Sequence, residues 1–276
     1  MEFLRVFLRE IGFVEVSTDL MYNLLRLLAA IIFLLIIYFT LRKKEVIRLT
    51  FLLDSRGGGK DLLSAWGLSI FIDVHGKQIL FDVGPNWSLI INNADTLKLP
   101  LHNVDYIVIS HWHNDHAGGL GSALRYYSEL GKDVKVYVPE EKVLLPEANV
   151  IVCKEPTKLF NDVLTTGALG YFTKEQALII GINGKGPLVI IGCAHPGIEL
   201  ILDHVTKVTG SKRIYGVIGG YHIGKSEAHE LLKVLKTYKV KVIAPAHCTS
   251  NEAIKILKQG FKGKFIDVRT GVDITL

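Results

Sequence analysis

Hydrophobic positions fall into two regimes along the chain. Leu27 to Leu41 is apolar without a charge, and the run extends back to Met21 if Arg26 is counted through. From Glu45 onward short apolar runs are separated by Gly, Asn, Asp and Pro, a pattern of strands with helices between the later ones. Strands are expected at 46–53, 68–74, 78–82, 106–110, 134–138, 176–182, 188–191, 214–218 and 240–244, and helices at 87–96, 119–130, 197–207, 226–238 and 251–259. Early strands follow one another directly and later ones alternate with helices. Two mixed sheets packed on each other with helices outside satisfy that order.

The N-terminal run invites a membrane reading. A full span needs ~20 apolar residues, which the stretch reaches only if Arg26 snorkels its guanidinium to the headgroups. A cleaved signal peptide carries its positive residues before the apolar core, whereas here Arg42-Lys43-Lys44 follow it. The expectation is therefore an extracytoplasmic segment over residues 1–20, a single transmembrane helix with its basic flank over 21–44, and a large domain over 45–276 placed in the cytoplasm by the positive-inside rule. A buried helix is the rival.

Composition adds limits. The 276 residues are 49% hydrophobic and 21% charged, with a formal net charge of +5. Residues 1–41 hold three Arg against three Glu and one Asp, so the remainder carries +6. That balance suits an anionic small molecule, and with no dense basic tract no nucleic-acid partner is expected. Cys153, Cys193 and Cys248 are few, odd in number and outside any CxxC spacing, which argues against a disulfide framework.

The chemistry concentrates after the strand at 106–110, where His111-Trp-His113-Asn-Asp115-His116 releases three imidazoles and a carboxylate within six residues. Neutral imidazole and carboxylate are the ligands of zinc-like metals. His111 and His113, two apart, can reach one metal from the same side, and Asp115 with His116 suits a second metal beside it. Three further strands repeat one plan, an apolar run, a small or flexible step and then a histidine: His195, His222 and His247. Each alone reads as a hydrogen-bonded loop residue. Together with the first cluster they imply one sheet edge where the side chains converge. Asp82, in Phe81-Asp82-Val83-Gly84, ends another strand and is read either as the acceptor of a ligand histidine's other ring N–H or as a turn residue before Gly. Asp54 is a weaker candidate of the same kind. Cys193 and Cys248 read as small buried thiols, with a thiolate ligand as the rival. The segment Ser55-Arg56-Gly-Gly-Gly-Lys60 is either a basic loop that closes over a phosphate or a solvated turn.

His111-x-His113-x-Asp115-His116, followed by His195 and His247, resembles the metallo-β-lactamase superfamily. Thr165-Thr-Gly167, Glu175-Gln-Ala-Leu178, Gly192-Cys-Ala-His195-Pro-Gly-Ile198, Tyr215-Gly-Val-Ile-Gly-Gly-Tyr-His222 and His247-Cys-Thr249 are similar to its 7,8-dihydropterin-6-yl-methyl-4-(β-D-ribofuranosyl)aminobenzene 5′-phosphate synthase branch. The resemblance implies an α/β fold of four αββα layers over residues 45–276, here preceded by the N-terminal transmembrane helix. It also implies two divalent metals, zinc foremost with Fe or Mn as alternatives. His111, His113 and His195 would hold the first and Asp115, His116 and His247 the second. Asp82 falls where the superfamily has its buried strand-end aspartate. Where most of its hydrolases have a metal-bridging aspartate, this chain has Gly219-Gly-Tyr-His222. His222 then either replaces that ligand or contacts a substrate phosphate, the latter being favoured. Asp54-Ser55 stands where the branch often has Asp-Asn.

The resemblance implies an enzyme, either a hydrolase or a synthase-like transferase, acting on a phosphorylated or anionic small molecule, with Asp115 and His222 as the catalytic candidates. The rival class is a membrane-tethered metal-binding or scaffold protein that keeps the fold without turnover.

Overall fold

The computed structural model describes residues 18–41, 46–142 and 149–276, together with residues 6, 7 and 10. Contacts divide the chain into two units, Met1–Glu45 and Val46–Leu276. In the first, helix α1 (Thr18–Leu41) takes up the long apolar run, whose Leu, Ala, Ile and Phe residues are uninterrupted by Gly or Pro. Its uncharged stretch, Leu27 to Leu41, is fifteen residues, shorter than the ~20 that a bilayer requires. Among the described residues no helix is long and apolar enough to cross a membrane. This corrects the expected transmembrane helix in residues 21–44 and the single-pass membrane localisation. The placement of residues 45–276 on the cytoplasmic side falls with them, since it rested on the orientation of that anchor. The basic flank Arg42-Lys43-Lys44 and most of residues 1–20 lie outside the described residues.

The second unit is built on two seven-stranded sheets. In the first sheet β1 (Arg48–Leu53), β2 (Ser69–Val74) and β3 (Lys77–Phe81) form an antiparallel meander. His75 and Gly76, both at positive φ (53° and 72°), make the two-residue turn between β2 and β3, a geometry that matches the twist of the flanking strands. The strands β4 (Tyr106–Val108), β5 (Lys135–Val138) and β6 (Asn149–Val152) then add in parallel. The second sheet runs antiparallel through β7 (Thr157–Phe160), β8 (Val163–Thr165), β9 (Leu178–Ile182) and β10 (Gly186–Ile191). It continues in parallel through β11 (Gly216–Gly220), β12 (Val242–Ala246) and β13 (Lys264–Phe265). The last strand, β14 (Asp273–Thr275), returns to pair with β1, giving the orders β14-β1-β2-β3-β4-β5-β6 and β13-β12-β11-β10-β9-β8-β7.

Helices α2 (Trp87–Thr96), α3 (Asn114–Ala117) and α4 (Leu120–Glu129) lie in the connections of the first sheet, and α5 (Ile198–Thr209), α6 (Lys225–Thr237) and α7 (Asn251–Gly260) in those of the second. Local chemistry sets their ends: Asn86 caps α2 through the Ser88 N–H, Ser250 caps α7 through that of Ala253, and Gly210 ends α5 in the left-handed conformation. Three apolar cores follow. Phe51, Ile70, Phe81, Leu188, Ile190 and Ile218 fill the space between the sheets. Trp87, Ile90, Leu120 and Tyr127 pack on the outer face of the first sheet, and Ile201, Leu202, Leu235 and Leu257 on that of the second. The expected pair of sheets with helices outside is the observed architecture, a helix–sheet–sheet–helix sandwich.

All the expected strands and helices of residues 45–276 are present, α2 with the expected ends and the others with shifted ends, and Asn114–Ala117 forms a separate helix before α4. The strands that periodicity did not flag, β6, β7, β8, β13 and β14, are two to four residues long, too short to show a period. Central strands are buried on both faces and so read as continuous apolar runs. Because β4, β10, β11 and β12 each feed a helix or turn in the same sense, their C-terminal ends lie at one edge of the sandwich. Phe51, fully buried between the sheets, is expected to destabilise the domain by ~3–5 kcal/mol when truncated to Ala. A denaturant midpoint lowered at unchanged slope is the measurement.

Candidate metal centre

Each strand of that edge delivers at least one side chain. The histidines His111 and His113 follow β4, with Asp115 and His116 in the short helix α3 next to them. His195 follows β10, His222 follows β11 and His247 follows β12. Their nitrogens converge: His111 Nε2 lies 3.0 Å from His113 Nδ1 and 3.2 Å from His195 Nε2. Beside them His116 Nε2 lies 3.1 Å from His247 Nε2, which is 3.0 Å from Asp115 Oδ2. Nitrogens bonded at 2.0–2.1 Å to one tetrahedral zinc stand ~3.3 Å apart, so these separations fit a metal. The backbone is strained where it presents these groups: Asp82, Ala194, His222 and His247 have positive φ (58°, 60°, 48° and 48°), a conformation that costs a non-glycine residue about 1 kcal/mol or more.

The hydrogen bonds around the imidazoles fix which nitrogen is free. Asp82, buried at the end of β3, accepts from Ser110 N–H (2.7 Å), from Ser110 Oγ–H (2.7 Å) and from His116 Nδ1–H (2.7 Å). His116 therefore presents an unprotonated Nε2 inward. Ser110 gives its only hydroxyl proton to Asp82, so its oxygen accepts from His111 Nδ1–H at 3.0 Å, and His111 Nε2 also faces inward as an acceptor. Ser55 Oγ meets His247 Nδ1 at 2.9 Å, while Nε2 of that ring faces Asp115 Oδ2 at 3.0 Å and donates to that carboxylate when no metal is bound. Gly192 is required here, because a Cβ at this position would collide with Ser110 Oγ.

Burial and the neighbouring imidazoles hold His111 well below the ordinary histidine range, and burial followed by His222 lowers His195 to about 4. Burial would raise Asp115, but the hydrogen bond from His247 and the charges of His116 and His247 bring it down to about 2. His116 is drawn the other way: burial disfavours its charge, and the Asp82 carboxylate outweighs burial and raises it. A divalent ion at Nε2 would favour the neutral ring instead.

Two groups enter that the sequence reading left without a role. Glu175, almost fully buried, accepts backbone N–H bonds from Cys193 and Ala194 (both 2.9 Å) and His195 (2.8 Å). It shapes the loop that carries His195. Burial raises its pKa and these donors offset part of the rise. Trp66 is 63% exposed, with its ring 4.8 Å from that of His247. An acidic side chain on β9's approach and an aromatic in a loop carry no spacing signal, so only the fold exposes them. Cys193 and Cys248 also line the centre. Their mutual hydrogen bond and burial push Cys193 up, and the same bond draws Cys248 down against the effect of burial.

Asp54 does not touch a ligand ring. Its Oδ2 accepts the His247 backbone N–H at 2.8 Å and its Oδ1 that of Arg56 at 2.9 Å, so it sets the backbone of the His247 turn. The Arg56 guanidinium binds Asp267, Asp54 and the Pro245 carbonyl. These bonds occupy Arg56, one of the two cations of the 55–60 loop that was expected either to close over a phosphate or to stay solvated. His222 is exposed at the mouth, its ring 4.8 Å from that of His195.

Comparison with known proteins places this architecture. A solved structure named Tm1679, a metal-dependent hydrolase of the β-lactamase superfamily, superposes with a TM-score of 0.71 at 24% identity, covering 83% of this chain and 98% of the other. The metallo-β-lactamase fold protein YhfI from Bacillus subtilis gives 0.60 at 14% identity, covering 84% and 100%. The chain has the metallo-β-lactamase fold. Among curated proteins it is similar to the 7,8-dihydropterin-6-methyl-4-(β-D-ribofuranosyl)-aminobenzene-5′-phosphate synthase of Methanocaldococcus jannaschii, with 25% identity over 79% of this chain and 92% of that protein. The family model described as Anti-Pycsar protein Apyc1 matches residues 58–144, the part that contains the first histidine cluster.

The depressed His195 has a consequence for the metal-free protein. Above pH 6.5, its ordinary value, the ring is neutral in both states; between 6.5 and about 4 only the unfolded chain takes the proton. Stability is therefore lost as pH falls through that window. Relative to His195→Asn, the chelator-treated wild type is expected to lose about 1–2 kcal/mol there, discounted for a half-buried site, as read by denaturant unfolding at each pH.

Proposed function

We propose that this chain is a metal-dependent enzyme acting on a phosphorylated or anionic small molecule, by hydrolysis or by a synthase-like condensation. The observation that carries the reading is the convergence of five imidazoles and Asp115, with the tautomers of His111 and His116 set for ligation. His111, His113 and His195 would hold one divalent ion, and Asp115, His116 and His247 a second, zinc being favoured by the imidazole-rich set. When bound, the ions supply Lewis acidity to a phosphoryl or carbonyl oxygen and lower the pKa of a water.

The chain's own residues divide the remaining work. Asp115, part-buried with Oδ2 on His247 at 3.0 Å, is placed at the mouth to orient a nucleophile and accept its proton. His222, exposed beside His195, is suited to donate a hydrogen bond to a substrate phosphate. Trp66 offers an aromatic face next to His247, which suits a flat ring on the substrate. The Methanocaldococcus synthase, similar over most of both chains, supports the condensation form, in which a pyrophosphate departs and an aromatic ring carbon or amine attacks. Hydrolysis would use the same residues with water as the nucleophile.

Zinc-loaded protein assayed on phosphomonoesters, phosphodiesters and the pair of a dihydropterin diphosphate with ribofuranosylaminobenzene phosphate separates the two forms by product. Pyrophosphate release that requires both condensation partners supports the synthase form. Turnover of none of these substrates by metal-loaded protein counts against the enzyme reading. His113→Ala and Asp115→Ala are each expected to lower turnover by several orders of magnitude while the unfolding midpoint shifts little. A chelator should abolish activity, and added zinc should restore it.

A further inference from the structure

Cys193 is not simply another buried thiol. Its Sγ lies 3.2 Å from His116 Nε2. It belongs to a group with His111 and His195 and also to a group with His116 and His247, the ligand atoms of each group lying within 4.8 Å of one another. One sulfur is therefore common to both sets of imidazoles. Cys153 supplies the contrast: it is equally buried, belongs to the apolar core between the sheets, and has the Ile151 carbonyl and the Thr157 and Thr165 hydroxyls as hydrogen-bond partners, with no imidazole among them. A thiol serving as core filler in this protein looks like Cys153.

The loop holding Cys193 is as tightly fixed as that of a ligand. Glu175 takes the N–H groups of Cys193, Ala194 and His195 together, so the sulfur and the His195 ring are set by the same buried carboxylate. The electrostatics leave a place for an anion. Asp115 meets only the second group of rings, at 3.0 Å from His247 and 3.6 Å from His116, and no carboxylate contact is present on the first among the described residues. Nor can one enter from the end of β11: a Cβ at Gly220 would run into the Gly192 carbonyl and stand 2.7 Å from Cys248 Sγ. Sulfur is a strong ligand for zinc-like ions once deprotonated.

We propose that Cys193 is a bridging thiolate shared by the two metal positions. This rests on the metal-dependent reading above and names the anion that joins its two halves. On loading, the Cys193 S–H bond breaks, the proton passes to solvent, and sulfur bonds form to both ions.

Cobalt(II) added to the metal-free full-length protein tests this, because histidine-bound cobalt shows visible ligand-field bands whereas a thiolate adds a near-ultraviolet charge-transfer band. The expected result is a charge-transfer band that grows through the first and again through the second equivalent, persists in Cys248→Ser and disappears in Cys193→Ser. The variant should also bind its second equivalent at least ~10-fold more weakly, the scale set even by losing a hydrogen-bond partner of a ligand. Far-UV circular dichroism confirms that Cys193→Ser is folded, and Cys193→Ala provides a second variant. Two bound cobalt ions with ligand-field bands and no charge-transfer band would overturn the thiolate and leave the metal centre standing. A band that saturates at one equivalent overturns the sharing, and one lost in Cys248→Ser instead moves the ligand to that thiol. Failure to bind cobalt at all overturns both this proposal and the reading beneath it.

Discussion

The buried carboxylate of Asp82 is the constraint on which the centre depends. It is fully enclosed and receives three hydrogen bonds, two from Ser110 and one from His116. A carboxylate without water must collect donors of this kind or lose its charge. By collecting them it fixes the tautomer of His116 directly and that of His111 through the Ser110 hydroxyl. One residue thereby turns a rigid strand end into two oriented nitrogens, one in each half of the centre. The positive φ at Asp82 is the local strain accepted for that aim.

Glu175 plays the corresponding part on the second sheet. It uses both oxygens on consecutive backbone N–H groups and so holds the chain from Cys193 to His195 in the bend where Ala194 sits at positive φ. Asp54 does the same for His247. Three buried acids, each at the end of or just before a strand of the sandwich, thus set backbone or ring geometry for the histidines. This explains why the site can be ordered before any ion arrives: the desolvation cost of the acids is offset by donors that are themselves parts of the ligand loops. Rigidity of this kind favours metal selection by geometry over raw affinity.

Much of this was legible in the sequence, for identifiable reasons. His111, His113, Asp115 and His116 lie within six residues, so their proximity needs no tertiary information. The strand-then-histidine plan at His195, His222 and His247 can be read because parallel strands in an α/β sheet expose their C-terminal ends together. Other features could not be read. The apolar run and the basic residues after it suggested a membrane anchor at residues 21–44, and Arg26 with the fifteen-residue uncharged stretch leaves it short of a span. Arg56 looked like a free cation in a glycine-rich loop, yet the fold pairs it with Asp267 more than two hundred residues away.

What the sequence determined by itself was the alternation of strands and helices and the ligand types at the strand ends, because periodicity and ligand chemistry are local properties. What the tertiary structure decided was which atoms face one another. The hydrogen bonds accepted by Asp82, the three N–H groups gathered by Glu175 and the Cys193 sulfur between two sets of imidazoles all join segments far apart in the chain. Such contacts exist only once two sheets have packed and brought their edges together, and no spacing along the chain encodes a distance across that gap.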